Sequence, residues 1–83
     1  MKVTVKVILK NVILDPQGKA VNNALHHLGY NQIDNVRIGK LIELDIDEED
    51  QDKARQIIEE ASHKLLANPI IEDYQIYFGE DLN

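Results

Sequence analysis

The sequence has no cysteine, no tryptophan, one phenylalanine, two prolines and four glycines among its 83 residues. Without cysteine it can build neither a disulfide framework nor a thiolate metal site. No apolar run exceeds a few residues, which excludes a transmembrane helix. The first residues alternate Lys, Val and Thr instead of forming an apolar block before a small-residue cleavage site. No secretory signal is therefore expected, and the cytoplasm is the expected compartment. Three tyrosines and one phenylalanine are too few and too scattered to stack nucleobases.

What the chain does contain is aliphatic and charged: 43% of its residues are hydrophobic and 29% charged, the balance of a globular protein. The length fits one domain, residues 1–83. A domain this small buries only about 60–65% of its unfolded surface, and self-association is one common way to bury more. The net charge of −6 is unevenly spread. Residues 1–40 hold six cations against two acids, or +4, whereas residues 41–83 hold three cations against thirteen acids, or −10. The basic half is too sparse for a nucleic-acid footprint. It reads either as ordinary solvated surface or as a patch complementary to another protein.

Hydrophobic periodicity gives the order of elements. Residues 2–9 alternate, with Val3, Val5, Val7 and Leu9 on one face of a half-buried strand. Asp15-Pro16 is a helix start, because the carboxylate accepts from free N–H groups and proline suits the first helical position. Ala20, Val21, Ala24, Leu25 and Leu28 continue a helix over 16–28, and Gly29 supplies a left-handed stop. Val36, Ile38, Ile42, Leu44 and Ile46 share one parity, with Lys40 the polar exception. A two-residue hairpin at Gly39-Lys40 would put these five on opposite faces, so one long strand over 35–46, bent at Gly39, is favoured. It would span roughly 40 Å, twice the usual length, and its far half calls for a second chain. Asp47 to Asp50 open a second helix over 48–66 carrying Ala54, Ile57, Ile58, Ala61 and Leu65. Asn68-Pro69 ends it, and 70–78 forms a last strand with Tyr74, Ile76 and Phe78 together. The tail from Gly79 to Asn83 reads as frayed. The class is α+β, with a small mostly antiparallel sheet and two helices on one face, in the order strand, helix, long strand, helix, strand, or the split β-α-β-β-α-β pattern where the long strand breaks at Gly39.

Chemistry is scarce. The glycines are scattered, so no phosphate loop exists. Ser62 and His63 are helical neighbours that do not face each other, and Ser62 reads as surface filler. His26 and His27 cannot converge on one metal. The acids at 47–52 lack the glycine and the distant glutamate of a calcium loop. Three segments nevertheless stand out: Leu14-Asp15-Pro16-Gln17-Gly18-Lys19-Ala20-Val21, Val36-Arg37-Ile38-Gly39-Lys40, and Leu65-Leu66-Ala67-Asn68-Pro69-Ile70-Ile71-Glu72-Asp73-Tyr74. Gly18 in the first turn of a helix costs up to about 1 kcal/mol relative to alanine, so it marks either tolerance at a fraying end or a close backbone approach by a partner.

In this order, and in a chain of this length, the three segments closely resemble the PurS family, the small subunit of phosphoribosylformylglycinamidine synthase. The resemblance covers essentially the whole chain. It implies a part in converting formylglycinamide ribonucleotide to formylglycinamidine ribonucleotide in purine biosynthesis, with glutamine and ATP consumed. It implies a subunit with no catalytic residue, no metal and no cofactor of its own. The glutaminase would lie on PurQ, and the synthetase, with ATP and magnesium, on PurL. It also implies a homodimer or tetramer that bridges these partners and assists ammonia transfer, and neither a nucleic acid nor a membrane as partner. The expected partner-binding residues are Asp15, Pro16, Gln17, Gly18, Lys19, Arg37, Gly39 and Lys40. The alternative reading is a small-molecule-binding regulatory α+β module, which rests on fold analogy alone.

Overall fold

The computed structural model describes residues 1–79. Strand β1 (Lys2–Leu9) is the centre of a three-stranded antiparallel sheet in the order β2-β1-β3, where β2 is Lys40–Asp45 and β3 is Glu72–Phe78. Helix α1 (Pro16–His27) follows β1, and helix α2 (Gln51–Ala61) joins β2 to β3. The α+β class expected from periodicity is the class observed.

The alternation in β1 decides which face is the core. Val3, Val5 and Val7 are 1% exposed or less and pack with Ile58 and Ala67. The register places Leu44 opposite Val3 and Ile42 opposite Val5, while Ile76 and Tyr74 flank Val5 and Val7 from the other side. All of these side chains share one face of the pleat. Helix α2 covers it, with Ala54 and Ile58 buried and the Arg55 guanidinium 4.9 Å from the centre of the Phe78 ring. Fully burying each of these aliphatic side chains contributes about 1.5–3 kcal/mol, so this layer holds the domain together.

Four expectations are corrected. First, the strand predicted over 35–46 pairs only from Lys40. Upstream of Gly39, the Val36 and Ile38 N–H groups donate to the side chains of Asn22 (3.4 Å) and Asp15 (2.8 Å) on the α1 side. Donors used there do not enter a ladder. The chain is therefore not one continuous strand over 35–46. Second, α2 begins at Gln51 instead of 48, because Asp50 takes the cap and accepts from the N–H groups of Asp52 (2.9 Å) and Lys53 (3.4 Å). Third, the last turn of this helix, Ser62–Leu66, is π-helical, closed by the Ala67 N–H donating to the Ser62 carbonyl at 2.8 Å. The buried stripe runs through Ala54, Ile58 and Ser62 at α-helical spacing, and the extra residue in the π turn carries it on to the half-buried Leu66. Leu65, assigned to the core by α-helical spacing, is 83% exposed, and Ser62, read as surface, is fully buried. Fourth, α2 covers the sheet but α1 does not pack closely on any element, and Val21 and Leu28 stay open to solvent.

The molecule is consequently long, with extents of 49 × 27 × 14 Å and a radius of gyration of 15.8 Å. A compact chain of this length would have a radius of about 12 Å. At the tail, the Gly79 N–H donates to the Lys2 carbonyl at 2.8 Å, which anchors that residue. The remainder of the tail expected to fray, 80–83, lies outside the described residues.

Candidate functional site

Two of the three distinctive segments meet in space. Asp15 caps α1 as its spacing predicts, accepting from the Gly18 N–H at 2.9 Å through one carboxylate oxygen. The other oxygen accepts from the Ile38 N–H at 2.8 Å, 23 residues away in the sequence. One side chain thus holds both the helix start and the 36–39 segment. The hydrogen bond from Gly18, then that from Ile38, and then the Arg37 charge hold its carboxyl below the usual carboxylate range.

Both glycines at this junction are demanded by proximity. A Cβ on Gly18 would lie 2.4 Å from the Val36 carbonyl oxygen and 2.5 Å from the Asp15 carboxylate. A Cβ on Gly39 would lie 2.5 Å from the Val7 carbonyl oxygen in the central strand. The Gly18 alternatives are thereby resolved. A backbone does approach closely, and it belongs to the same chain.

Arg37 crosses the end of β1, its guanidinium donating to the Leu9 carbonyl. Lys40 opens β2 opposite Val7 and so sits on the core face, at its edge. Lys19, Asp15, Asn22 and Asp34 line a shallow cleft beside the junction, while Pro16 and Gln17 are exposed on the first turn of α1. Asp15, Gly18, Arg37 and Gly39 are therefore brought together as one internal clasp, and the side chains of Pro16, Gln17, Lys19 and Lys40 make no hydrogen bond or ion pair among the described residues. Asn22 was missed by the sequence reading. Its signal is the four-residue spacing from Gly18, which puts both on the face of α1 that meets Val36.

Lys6 was missed as well. It lines a second cleft, of about 270 Å³, together with Ile8, Arg37, Gly39, Lys40 and Leu41. Among the described residues no group of three or more His, Asp or Glu side chains is placed to hold a metal ion. No described helix is long and apolar enough to cross a membrane.

The model of the PurS family, described as phosphoribosylformylglycinamidine (FGAM) synthase, matches residues 2–80. The chain belongs to the PurS family. A curated relative, the PurS subunit of phosphoribosylformylglycinamidine synthase from Bacillus subtilis (strain 168), is 51% identical over 74 residues, covering 89% of this chain and 87% of its own. The crystal structure of B. subtilis PurS in a C2 form superposes with a TM-score of 0.82 at 50% identity, covering 92% of this chain and 94% of that one. A PurS-like chain within the PurLQS structure from Thermotoga maritima gives a TM-score of 0.84 at 29% identity, covering 92% and 93%. The PurS assignment spans the clasp, the sheet and α2 together, so the resemblance carried by the three segments extends to the whole fold.

Proposed function

We propose that this PurS chain is the non-catalytic subunit of phosphoribosylformylglycinamidine synthase, bridging a PurQ glutaminase and a PurL synthetase in purine biosynthesis and assisting ammonia transfer between them. The observation that carries the reading is the 51% identity to a curated PurS subunit over nearly the full length of both chains. The PurLQS assembly that contains a structural neighbour of this chain supports the bridging role. ATP and magnesium would act on the synthetase and glutamine on the glutaminase, in the cytoplasm.

The physical task is water exclusion. Ammonia released into bulk water is protonated or lost, and a subunit that seals the joint between two sites keeps it neutral and local. A small rigid sheet with side chains fixed around a clasp suits a sealing role, because its surface needs no ordering on contact. Pro16, Gln17, Lys19, Arg37 and Lys40 would contact a partner, and Asp15, Gly18 and Gly39 would keep that surface in shape.

Self-association, as a homodimer or tetramer, belongs to the same proposal. A helix of twelve residues is marginal in isolation. Helix α1 leaves Val21 40% and Leu28 72% exposed, and Val12 and Leu14 before it are more than two-thirds exposed. A second copy laid over α1 would bury them.

The test is reconstitution with PurL and PurQ, comparing glutamine-dependent with ammonia-dependent synthesis. Omitting this chain should lower the glutamine-dependent rate far more than the ammonia-dependent rate. Equal rates with and without the chain in both assays would refute the role.

A further inference from the structure

The third distinctive segment has no part in the clasp, and the structure gives it an unusual setting. Because the turn Ser62–Leu66 is π-helical, Leu65 is rotated off the core to 83% exposure. Five residues later Ile70 is 81% exposed, beyond a turn held by the Asn68 side chain accepting from the Ile70 N–H at 3.2 Å. Two large aliphatic side chains thus bracket a fixed turn and stay uncovered by the described residues. Beside the turn runs an open cleft of about 380 Å³ lined by Leu65, Leu66, Pro69, Lys40 and Glu72, whose carboxylate accepts from the Asn68 N–H at 2.7 Å.

Lys40 also lines the cleft that holds Lys6, Arg37, Ile8 and Leu41, so the two clefts share one cation. No carboxylate lines the cleft that Lys6 and Arg37 share with Lys40, and the one carboxylate in the adjoining cleft of Lys6, Arg37, Tyr74 and Gln75 is that of Asp73. Two nearby cations are already neutralised: Lys10 pairs with Asp73 at 2.8 Å and Lys64 with Glu60 at 2.6 Å. Lys6, Arg37 and Lys40 make no ion pair among the described residues. Leu41 is 53% exposed beside them. The acids Asp45 to Asp52 gather at the opposite end of the sheet, where the Met1 ammonium donates to the Ile46 carbonyl. A chain of net charge −6 therefore presents a positive, partly aliphatic end.

We infer that this end of the sheet docks an acidic segment of one of the larger subunits that passes round its edge at Lys40, with carboxylates over Lys6, Arg37 and Lys40 and aliphatic side chains against Leu41 on one face and against Leu65 and Ile70 on the other. The inference rests on the bridging role proposed above and names the surface and the partner's chemistry. Charge complementarity selects the occupant. The same end of a second copy carries the same positive charge, so a two-fold contact through it would juxtapose like charges. A nucleic acid would find no aromatic platform here and would leave the aliphatic side chains uncovered.

The test measures binding of this chain to purified PurL and PurQ at low and high salt, with the sedimentation of each variant alone as control. K40E should weaken binding at least tenfold and flatten its salt dependence. The double variant L65S/I70S should weaken it at least tenfold and leave the salt dependence intact. All three side chains are exposed at least in part, so the fold should survive, and D47K at the opposite end should bind as wild type. Wild-type binding by both K40E and L65S/I70S would overturn the inference while leaving the bridging role standing. A change in the sedimentation of either variant alone would assign the surface to self-association and likewise overturn it. A wild-type chain that binds neither subunit would refute the bridging role itself, and the inference with it.

Discussion

Gly18 and Val36 touch where α1 begins: a Cβ on Gly18 would sit 2.4 Å from the Val36 carbonyl oxygen. The contact explains why a residue that disfavours helices occupies the first turn of one. The Asp15 carboxylate closes the same junction from the other side, accepting from the Gly18 and Ile38 N–H groups. Helix start and strand approach are thereby one structural unit, even though about twenty residues separate them.

Replacing Gly18 with alanine should therefore destabilise the chain, against the usual gain of about 1 kcal/mol for Gly→Ala within a helix. The obstructing atom is a backbone carbonyl, so relief requires the 36–39 segment to move, at a cost of about 1–3 kcal/mol. Gly39→Ala meets the Val7 carbonyl at 2.5 Å and should behave alike. Thermal unfolding reads both. A raised melting temperature for G18A would show that the two segments do not bear on each other.

The hydrogen bonds to Asp15 make a prediction about acid. Its carboxyl titrates below its ordinary value, with the Gly18 and Ile38 hydrogen bonds as the leading causes. A group whose pKa is depressed on folding contributes stability that is fully present above the unfolded value, near 4. That stability is lost as the pH falls through the lower folded value. Urea unfolding at pH 7 and pH 3 should show the wild type losing more stability on acidification than D15N. The variant should be the weaker of the two at pH 7. Parallel losses in both proteins would remove Asp15 from the acid response.

Much of the fold was legible in local pattern, and the reason differs by element. Strand β1 is central, so its alternation reports burial on one face directly. The ends of α1 are set by residues acting on their immediate neighbours: Asp15 on Gly18, Pro16 at the first position, and Gly29 with a φ of 97° just past the end. The start of β2 was not legible, because the donors of Val36 and Ile38 are taken by Asn22 and Asp15, residues no local window contains. The candidate site was legible as segments and illegible as a site. Composition marked Gly18 and Gly39 as unusual, but only the fold shows that what approaches them is the chain's own backbone.

The core stripe of α2 separates two residues that look alike in sequence. Ile57 and Ile58 are adjacent, both aliphatic and both within the helical period, yet Ile57 is 50% exposed and Ile58 only 3%. Truncating Ile58 to alanine removes a side chain packed on Val3, Val5 and Val7, which should cost about 2–5 kcal/mol. I57A should change stability by less than about 1 kcal/mol. Chemical denaturation of the two variants side by side checks the ranking. Equal losses would mean that the helix is rotated from the face described.

The buried hydroxyl of Ser62 bears on whether the π-helical turn is under strain. Ser62 is fully buried, and among the described residues its Oγ has no hydrogen-bond partner. A buried polar group left unpaired costs about 1–3 kcal/mol, so Ser62→Ala should stabilise the chain. Alanine also gains helix propensity over serine, which raises stability by a few tenths of a kcal/mol irrespective of the hydroxyl. The exposed position Gln56 in α2 supplies the reference, since Gln56→Ala changes propensity and no buried polar atom. The gain for S62A should exceed that for Q56A by about 1 kcal/mol, which for a domain of this size is a rise in melting temperature of about 4–8 °C. A loss of stability in S62A would instead mean that the hydroxyl is satisfied in solution. The π-helical turn would then be held by a polar contact, and the rotation that leaves Leu65 exposed would have a second cause besides the extra residue in the turn.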